Sequence, residues 1–379
     1  MLRRQSELDR TLDLDRADPR LHDVLRLGAY QLRCLTRVPS HAAVSTSVEL
    51  ARETVGEGVT GYVNHALRKL TRETVDERRE PLATHPGWLE ERWQERYGPD
   101  EARHLLAWND SRPSVTLQPA RWDPARVTSA FRAAGIGVQD APFGAGLRLT
   151  PAAPASRLPP PASWPGFGEG GWIVQDPAHA LVCRFASIPR GSLVYDACAA
   201  PGGKAVALEA AGARVVAGDV RRERLPRLSE TIRRAGVAIR CMAADLEAAP
   251  IRPASLDAVL VDAPCTATGT MRRHPDARWR LTPTVFPRAA ARQTRLLNAA
   301  ATLVRPGGLL IYATCSLEPE ENTGIVEGFL SRHAEFTRAP APERDAVPAE
   351  LLTAAGDFQS LPQRHGIDGA YAARLMRRA

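Results

Sequence analysis

Two cysteines follow apolar runs of the kind that form buried strands. Cys265 comes three residues after the run 256–262, and Cys315 comes directly after the run 309–314. A thiolate is a strong nucleophile, and nearby cations or a helix N-terminus lower the pKa of a thiol enough to form it. The simpler interpretation is that each cysteine is a small apolar residue packed behind a turn. For either cysteine taken alone, both interpretations stay open.

Acidic residues occupy the ends of four predicted strands. In an open α/β sheet, ligands bind in the crevice outside the carboxyl ends of the strands. A set of carboxylates at that edge suits a nucleoside-containing cofactor, although any one acid could simply form a turn. The acids are Asp196, Asp219, Asp245 and Asp262, and of these Asp219 holds the position that typically binds ribose hydroxyls.

The segment Asp-Ala-Cys-Ala-Ala-Pro-Gly-Gly-Lys, residues 196–204, lies between the first of these strands and a predicted helix. Its two glycines allow a ligand to approach the backbone and leave the helix N-terminus facing a polar group. It is not a phosphate-binding P-loop, because the first glycine is missing and Ala205 replaces the required Ser or Thr. The pattern G-x-G-x-x-G at 166–171 follows no strand and precedes no helix, which argues against a dinucleotide oxidoreductase.

Four cationic residues are candidates to stabilise a thiolate near this edge: Lys204, Arg272, Arg273 and His274. The last three begin the run Arg-Arg-His-Pro-Asp-Ala-Arg-Trp, which suits contact with a phosphodiester backbone. We therefore expect Arg272, Arg273 and His274 to bind RNA.

The elements that position these residues form an α/β fold. From residue 192 onward, predicted strands alternate with predicted helices, which favours a parallel sheet covered on both faces. The chain before it is predicted to be helical over 1–75, to form a small α+β module over 76–150, and to continue as a Pro/Ala-rich linker over 151–163. The catalytic domain is then predicted over 164–379.

The composition is that of a soluble protein, with 44% hydrophobic and 25% charged residues among 379. No apolar run is long enough to span a membrane, and the N-terminus lacks the apolar core of a signal peptide, so we expect a cytoplasmic protein without a membrane partner. The six cysteines do not have zinc-ligand spacing, and no metal site is predicted. A net charge of +7 favours a polyanionic partner.

Three motifs in the right order make residues 164–379 resemble the catalytic domain of the RNA cytosine-C5 methyltransferases, the NOL/NOP/Sun group. They are the segment 196–204, Asp-Ala-Pro-Cys-Thr-Ala-Thr-Gly with Arg-Arg-His-Pro-Asp, and Tyr-Ala-Thr-Cys-Ser with Pro-Glu-Glu-Asn. The stretches Leu-Gly-Ala-Tyr-Gln-Leu from residue 27 and Gly-Tyr-Val-Asn-His-Ala-Leu-Arg from residue 61 look like a NusB-type RNA-binding domain. This pairing is similar to bacterial 16S rRNA methyltransferases.

The resemblance implies a Rossmann-like fold and S-adenosylmethionine as methyl donor. It implies that Asp219 holds the ribose, that Asp245 faces the adenine, and that Asp262 lies between cofactor and base, where it hydrogen-bonds the cytosine. It further implies that Cys315 attacks C6 of the cytosine and that Cys265 assists release. The methionine end of the cofactor would be lined by Cys198, Ala199, Ala200, Pro201, Gly202, Gly203 and Lys204.

The partner implied by the resemblance is small-subunit rRNA that is unassembled or partly assembled, bound by a monomeric enzyme. The same chemistry on tRNA or on another rRNA site is an alternative. A second alternative is a non-catalytic RNA-binding factor in ribosome assembly, but such a factor would need neither Cys265 nor Cys315. The helical segment begins later than in the family, so either the start codon is misassigned or the N-terminal domain is shortened.

Overall fold

The structure is a computed structural model that describes residues 1–35, 37–72, 84–151, 157–340 and 346–379. The predicted boundary at residue 75 and residues 152–156 of the predicted linker lie outside the described residues. Two compact units are present, formed by Met1–Asp110 with Arg278–Arg280 and by Ser111–Ala277 with Leu281–Ala379.

The regular structure of the first unit is helical, as the sequence predicts. Apolar residues at helical spacing, such as Leu25 and Ala29 on one helix and Leu67 on another, are fully buried in its core. Gly28 allows these two helices to approach closely, because a Cβ atom there would lie 2.6 Å from Leu67 Cδ1. The helices are α1 (Gln5–Leu12), α2 (His22–Cys34), α3 (Ser40–Thr54), α4 (Thr60–Arg72), α5 (Gly87–Tyr97) and α6 (Pro99–Asp110).

The second unit begins with a small antiparallel sheet. Its elements are β1 (Val115–Pro119), α7 (Pro124–Ala133), β2 (Gly137–Asp140), β3 (Leu147–Thr150) and β4 (Trp172–Val174). The strand order is β2-β3-β1-β4. The fourth strand of this sheet, β4, lies outside the predicted module of 76–150. It comes from the segment that was predicted to belong to the catalytic domain. The physical reason is backbone pairing of β4 with β1, reinforced by packing of Trp172 against Phe131, with ring centroids 5.8 Å apart.

A large mixed sheet fills the rest of the second unit, and it confirms the predicted α/β class. The strand order is β7-β6-β5-β8-β9-β12-β10, and β11 pairs with β12. Strands β7, β6, β5, β8 and β9 pair in parallel in that order, whereas β12 runs antiparallel to β9. The elements of this part of the chain are α8 (Pro177–Ala186), β5 (Leu193–Asp196), α9 (Gly203–Ala210), β6 (Arg214–Asp219), α10 (Leu225–Ala235), β7 (Arg240–Ala243), β8 (Leu256–Asp262), α11 (Ala277–Arg280), α12 (Val285–Leu303), β9 (Val304–Thr314), α13 (Thr323–Leu330), β10 (Phe336–Arg338), β11 (Phe358–Ser360), α14 (Pro362–His365) and β12 (Ala370–Arg377). Of α11, the residues Arg278–Arg280 belong to the first unit.

The central strand β8 shows why its sequence is a continuous apolar run. Ala258 and Leu260 pack into one hydrophobic cluster, while Val259 and Val261 pack into the cluster on the other side. Because both faces of the strand are covered, polar residues cannot alternate with apolar ones. The strand ends with a partly exposed acid, Asp262.

Two features of this part of the chain differ from the sequence prediction. Asp245 is predicted to end a strand, but β7 ends at Ala243, two residues earlier. The sheet is predicted to be parallel, but β12 pairs antiparallel with β9. Helix α13 begins at Thr323, after a turn of 3₁₀ helix over Pro319–Glu321. Within the described ranges, every helix is too short or too polar to cross a membrane.

Candidate active site

The loop after β5 carries the predicted cofactor residues and is tied to β6. Ala200 N–H donates a hydrogen bond to Asp219 Oδ2 over 3.3 Å. Gly202 has φ = +108°, which favours glycine, and a Cβ atom there would lie 2.8 Å from Leu228 Cδ1. Helix α9 begins at Gly203, so the N-terminus of the helix faces the edge of the sheet at which β5 and β6 end.

Asp219 and Asp245 differ in their surroundings. Asp219 is buried, and its second oxygen, Oδ1, accepts from Arg221 N–H over 2.9 Å. Asp245 is exposed and accepts from Glu247 N–H over 3.0 Å, as the cap of a short turn. Val220, next to Asp219, is half exposed. A buried carboxylate, an apolar surface and an exposed carboxylate thus follow one another along this edge.

A lysine joins the loop after β5 to the end of β8. Lys204 Nζ donates to Asp262 Oδ2 over 2.6 Å and to His179 Nδ1 over 2.9 Å. Burial alone would lower the pKa of Lys204, but the Asp262 carboxylate raises it above its usual value. The Lys204 charge, together with burial, lowers the pKa of His179 to about 3. His179 is therefore neutral, and Lys204 remains an ammonium.

Asp196 is fully buried at the end of β5. Burial and the nearby negative charge of Asp262 together raise its pKa to about 7, against the opposing effect of Lys204. This acid is therefore largely protonated below neutral pH.

The structure brings the two motif cysteines together. Strands β8 and β9 are adjacent and parallel, and Cys265 Sγ lies 3.2 Å from Cys315 Sγ. The pKa of Cys265 is raised well above its usual value by the hydrogen bond with Cys315 and by burial. The raised pKa favours the protonated form of Cys265, and either sulfur can be the donor in this contact.

Backbone contacts fix the segment around Cys315. Gly269 N–H donates to the Cys315 carbonyl over 2.9 Å, and Gly369 N–H donates to the Gly269 carbonyl over 2.8 Å. A Cβ atom at Gly269 would lie 2.6 Å from the Gly369 carbonyl oxygen. Three separate chain segments thus touch backbone to backbone at the site.

Two residues at the site have no role predicted from the sequence. His179 stands alone in an apolar helix, a pattern that usually means a core residue. Glu321 is the second acid of the Pro-Glu-Glu-Asn motif, and its fully buried side chain accepts from Thr266 N–H and Gln293 Nε2 over 3.0 and 2.8 Å. The signal that could have found Glu321 is an acid within six residues of a strand-end cysteine.

Two of the three predicted RNA-binding residues, Arg272 and Arg273, form hydrogen bonds with other protein residues. Arg273 Nε donates to Asp368 over 2.5 Å, and its Nη2 donates to Asp176 over 2.6 Å. Arg272 is buried and donates to the backbone carbonyl of Arg112. The expectation that both arginines face RNA is therefore corrected, because their guanidinium groups bond to protein. Of the predicted three, His274 alone is exposed.

The cysteines and other potential metal ligands do not form a metal centre in the described part of the chain, where groups of three or more His, Cys, Asp or Glu suited to a metal ion are absent. All six cysteines are free thiols. Burial raises the pKa of Cys183 and of Cys198 to about 12, so neither is a nucleophile at neutral pH.

Comparison with protein families gives matches along most of the chain. The matching families are NusB over residues 2–72, the ferredoxin-like domain of RsmF/B-like methyltransferases over residues 85–156, and the 16S rRNA methyltransferase RsmB/F over residues 188–376.

Curated relatives and solved structures agree with these matches. The probable ribosomal RNA small subunit methyltransferase B of Synechocystis sp. is 32% identical, with alignment over 99% of this chain and 88% of that protein. The ribosomal RNA small subunit methyltransferase B of Pasteurella multocida is 34% identical over 94% of this chain and 80% of that protein. The crystal structure of PH0851 aligns with a TM-score of 0.83 at 25% identity over 99% of this chain and 88% of its own. NSun6 from Pyrococcus horikoshii, solved with SFG, shares the fold with a TM-score of 0.65 at 18% identity, over 77% of this chain and 98% of its own.

Proposed function

The chain belongs to the RsmB/F family of 16S rRNA methyltransferases, and we propose that it methylates C5 of a cytosine in 16S rRNA through a covalent bond from Cys315 to C6 of the base. The observation that carries this proposal is the distance of 3.2 Å between the sulfur atoms of Cys315 and Cys265. A binding protein has no need for two thiols in contact beyond the ends of adjacent strands, whereas a reaction that forms and then breaks a carbon–sulfur bond does.

S-adenosylmethionine is the methyl donor of this family, and the residues present fit it. Asp219 accepts two hydrogen bonds, which leaves about half of the acceptor capacity of the carboxylate for ribose hydroxyls. Val220 offers apolar surface beside it, and the exposed Asp245 is available to the adenine. The loop from Cys198 to Lys204 would hold the methionine end, since Gly202 and Gly203 leave its backbone open to a ligand.

The chemistry requires a nucleophile because C5 of cytosine is too weakly nucleophilic to take a methyl group directly. The bound cofactor supplies an electrophilic methyl group on a sulfonium. The Cys315 thiolate adds to C6, and the electron pair of the C5–C6 double bond then makes C5 nucleophilic. The Cys265 S–H group, 3.2 Å from the Cys315 sulfur, stabilises that thiolate before the attack.

Asp262 is the group that we assign to the base. Its carboxylate is one-third exposed, so it accepts a hydrogen bond from the N4 amino group and stabilises the adduct. Lys204 Nζ donates a hydrogen bond to Asp262 Oδ2 over 2.6 Å and a second one to His179 Nδ1. The orientation of the Asp262 carboxylate is therefore fixed before the base binds.

Release reverses the first step. Water accepts the C5 proton, and the electron pair of the C5–H bond re-forms the C5–C6 double bond. The bond between C6 and the Cys315 sulfur breaks, and its electron pair returns to that sulfur. Cys265 still carries its proton, because its pKa is raised, and its S–H group can donate to the departing sulfur. We therefore assign attack to Cys315 and release to Cys265.

The RNA partner must present an unstacked cytosine, which favours rRNA that is unassembled or partly assembled. Because Arg272 and Arg273 bond to protein, we propose another surface, the arginine surface, for the RNA backbone. It lies after β6, which is two strand positions from β8 and three from β9, the strands that precede Cys265 and Cys315. Its residues are exposed, form no ion pair with the described acids, and are Arg221, Arg222, Arg224 and Arg227.

The test is bisulfite mapping of rRNA and tRNA from cells with and without the gene, complemented by the wild type or by Cys315→Ala. One 16S cytosine is expected to lose its methyl group without the gene and to regain it only with the wild type. The purified Cys315→Ala protein is expected to bind S-adenosylmethionine normally. Methylation by this variant, or a lost methyl group in tRNA alone, would contradict the proposal.

A further inference from the structure

We propose that Glu321 is the positioning residue that holds the two thiols in register, through hydrogen bonds to the residue that follows each cysteine. Thr266 follows Cys265, and Ser316 follows Cys315. The inference rests on the proposed function, because it concerns the same two thiols, but its first measurement needs neither RNA nor cofactor.

Both oxygens of the Glu321 carboxylate are occupied. Oε1 accepts from Thr266 N–H over 3.0 Å and from Gln293 Nε2 over 2.8 Å. Oε2 accepts from the hydroxyl groups of Thr266 and Ser316. Gln293 Nε2 also donates to the Pro264 carbonyl over 3.1 Å. These hydrogen bonds therefore hold the residues on both sides of Cys265, Pro264 and Thr266. With no exposed surface, Glu321 makes all of these contacts inside the protein.

The position of Glu321 matters because the ladder between β8 and β9 stops before the thiols. The last aligned pair is Asp262 with Ala313, and Cys265 and Cys315 lie beyond it. Past that pair, the two segments are joined by the backbone hydrogen bond from Gly269 to Cys315 and by hydrogen bonds of side chains. Glu321 bonds to both of them, whereas Asn322 bonds to the Cys315 side, through Thr314 and Ser316.

Glu321 also helps to make the two thiols different. The pKa of Cys265 is raised by the hydrogen bond with Cys315, by burial, by the Cys315 charge and by the negative charge of Glu321. The other ionisable groups that face the pair are Tyr312, which is a neutral phenol, and Lys204, which is already paired with Asp262. Glu321 thus favours a protonated Cys265.

The test is alkylation of the intact protein by iodoacetamide between pH 6 and 10, with the modified cysteine identified by mass spectrometry. In the wild type, Cys315 is expected to react first. In Glu321→Gln, Cys265 is expected to react about tenfold faster than in the wild type, which corresponds to a fall of one pKa unit. Methyl transfer to rRNA is expected to fall, with the affinity for S-adenosylmethionine unchanged.

The matched control is Glu327→Gln on α13, which removes an acid whose side chain is 62% exposed and pairs with Arg338. It should leave both alkylation rates as in the wild type. If Glu321→Gln does not fold, Thr266→Val is the substitute, because it removes only the hydroxyl donor to Glu321. It should raise the alkylation rate of Cys265 by a smaller factor than Glu321→Gln. Unchanged Cys265 alkylation in these variants overturns the proposal, even if methyl transfer falls. Wild-type protein that methylates no RNA would instead overturn the proposed function.

Discussion

Lys204 and Asp262 form an ion pair of 2.6 Å in which the lysine is almost fully buried and the aspartate is one-third exposed. The pair therefore presents one carboxylate to a ligand and keeps its counter-charge inside the protein. Since the ammonium cannot rotate into water, the direction of the carboxylate is set by the fold rather than by the ligand.

The first prediction separates the stability of this pair from its chemistry. Asp262→Asn is expected to lower the free energy of unfolding by about 2 kcal/mol, because it leaves a buried ammonium without its counter-charge. The loss is smaller than for a fully buried pair, because water reaches Asp262 and screens the interaction. Lys204→Met in the same chain should restore most of that stability. Methyl transfer should stay lost in both variants, as measured by tritium incorporation into rRNA. Recovery of activity in the double variant would contradict the assignment of Asp262 to the base.

The second prediction concerns Arg273, which we identify as structural. Arg273→Met leaves the buried carboxyl groups of Asp176 and Asp368 without their partner, so we expect a loss of about 3 kcal/mol in the free energy of unfolding. His274→Ala, at the exposed neighbour, should change stability by less than about 0.5 kcal/mol. Urea denaturation measures both. Equal stability of the two variants would count against the structural assignment.

The third prediction concerns pH. Asp196 has a pKa of about 7 in the folded protein, above its usual value of 3.8, so the folded state binds the extra proton. Stability contributed by this group is therefore present below about pH 4 and is lost as the pH rises toward 7. Asp196→Asn, which cannot ionise, should raise the melting temperature at pH 8 and change it little at pH 4. A melting temperature raised equally at both values would show that ionisation is not the cause.

The fourth prediction tests the arginine surface. Replacement of Arg221, Arg222, Arg224 and Arg227 by Gln should weaken rRNA binding and reduce the slope of log K against log salt by about 3, at roughly 0.7 to 0.9 per phosphate contact. The affinity for S-adenosylmethionine should not change. Arg332→Gln is the control, because this exposed arginine follows α13, which comes after β9 in the chain, and is not part of the arginine surface. An unchanged slope in the fourfold variant would exclude this surface from the RNA interface.

Local patterns in the sequence were enough to predict much of the catalytic half. The apolar run ending at Asp262 gave the bounds of β8 correctly, because a strand covered on both faces has few polar residues. The resemblance to RNA methyltransferases and the NusB-like N-terminal domain are confirmed by the family matches.

What could not be predicted depends on contacts between distant parts of the chain. β4 belongs to the small sheet because it pairs with β1, some fifty residues earlier. Arg273 is structural because of Asp176 and Asp368, each nearly a hundred residues away. Similarly, no periodicity in the sequence indicates that Glu321 turns inward, since its partners are on three other segments.

The backbone contacts among Gly269, Cys315 and Gly369 have a consequence for how the gene can change over time. Neither glycine has a side chain that could take part in the reaction, yet a single methyl group at either position would collide with backbone. If Cys315 is the nucleophile, a substitution at either glycine would disturb the reaction without changing a reactive side chain. Loss of methylation in a natural lineage can begin at these glycines while every reactive side chain is still present.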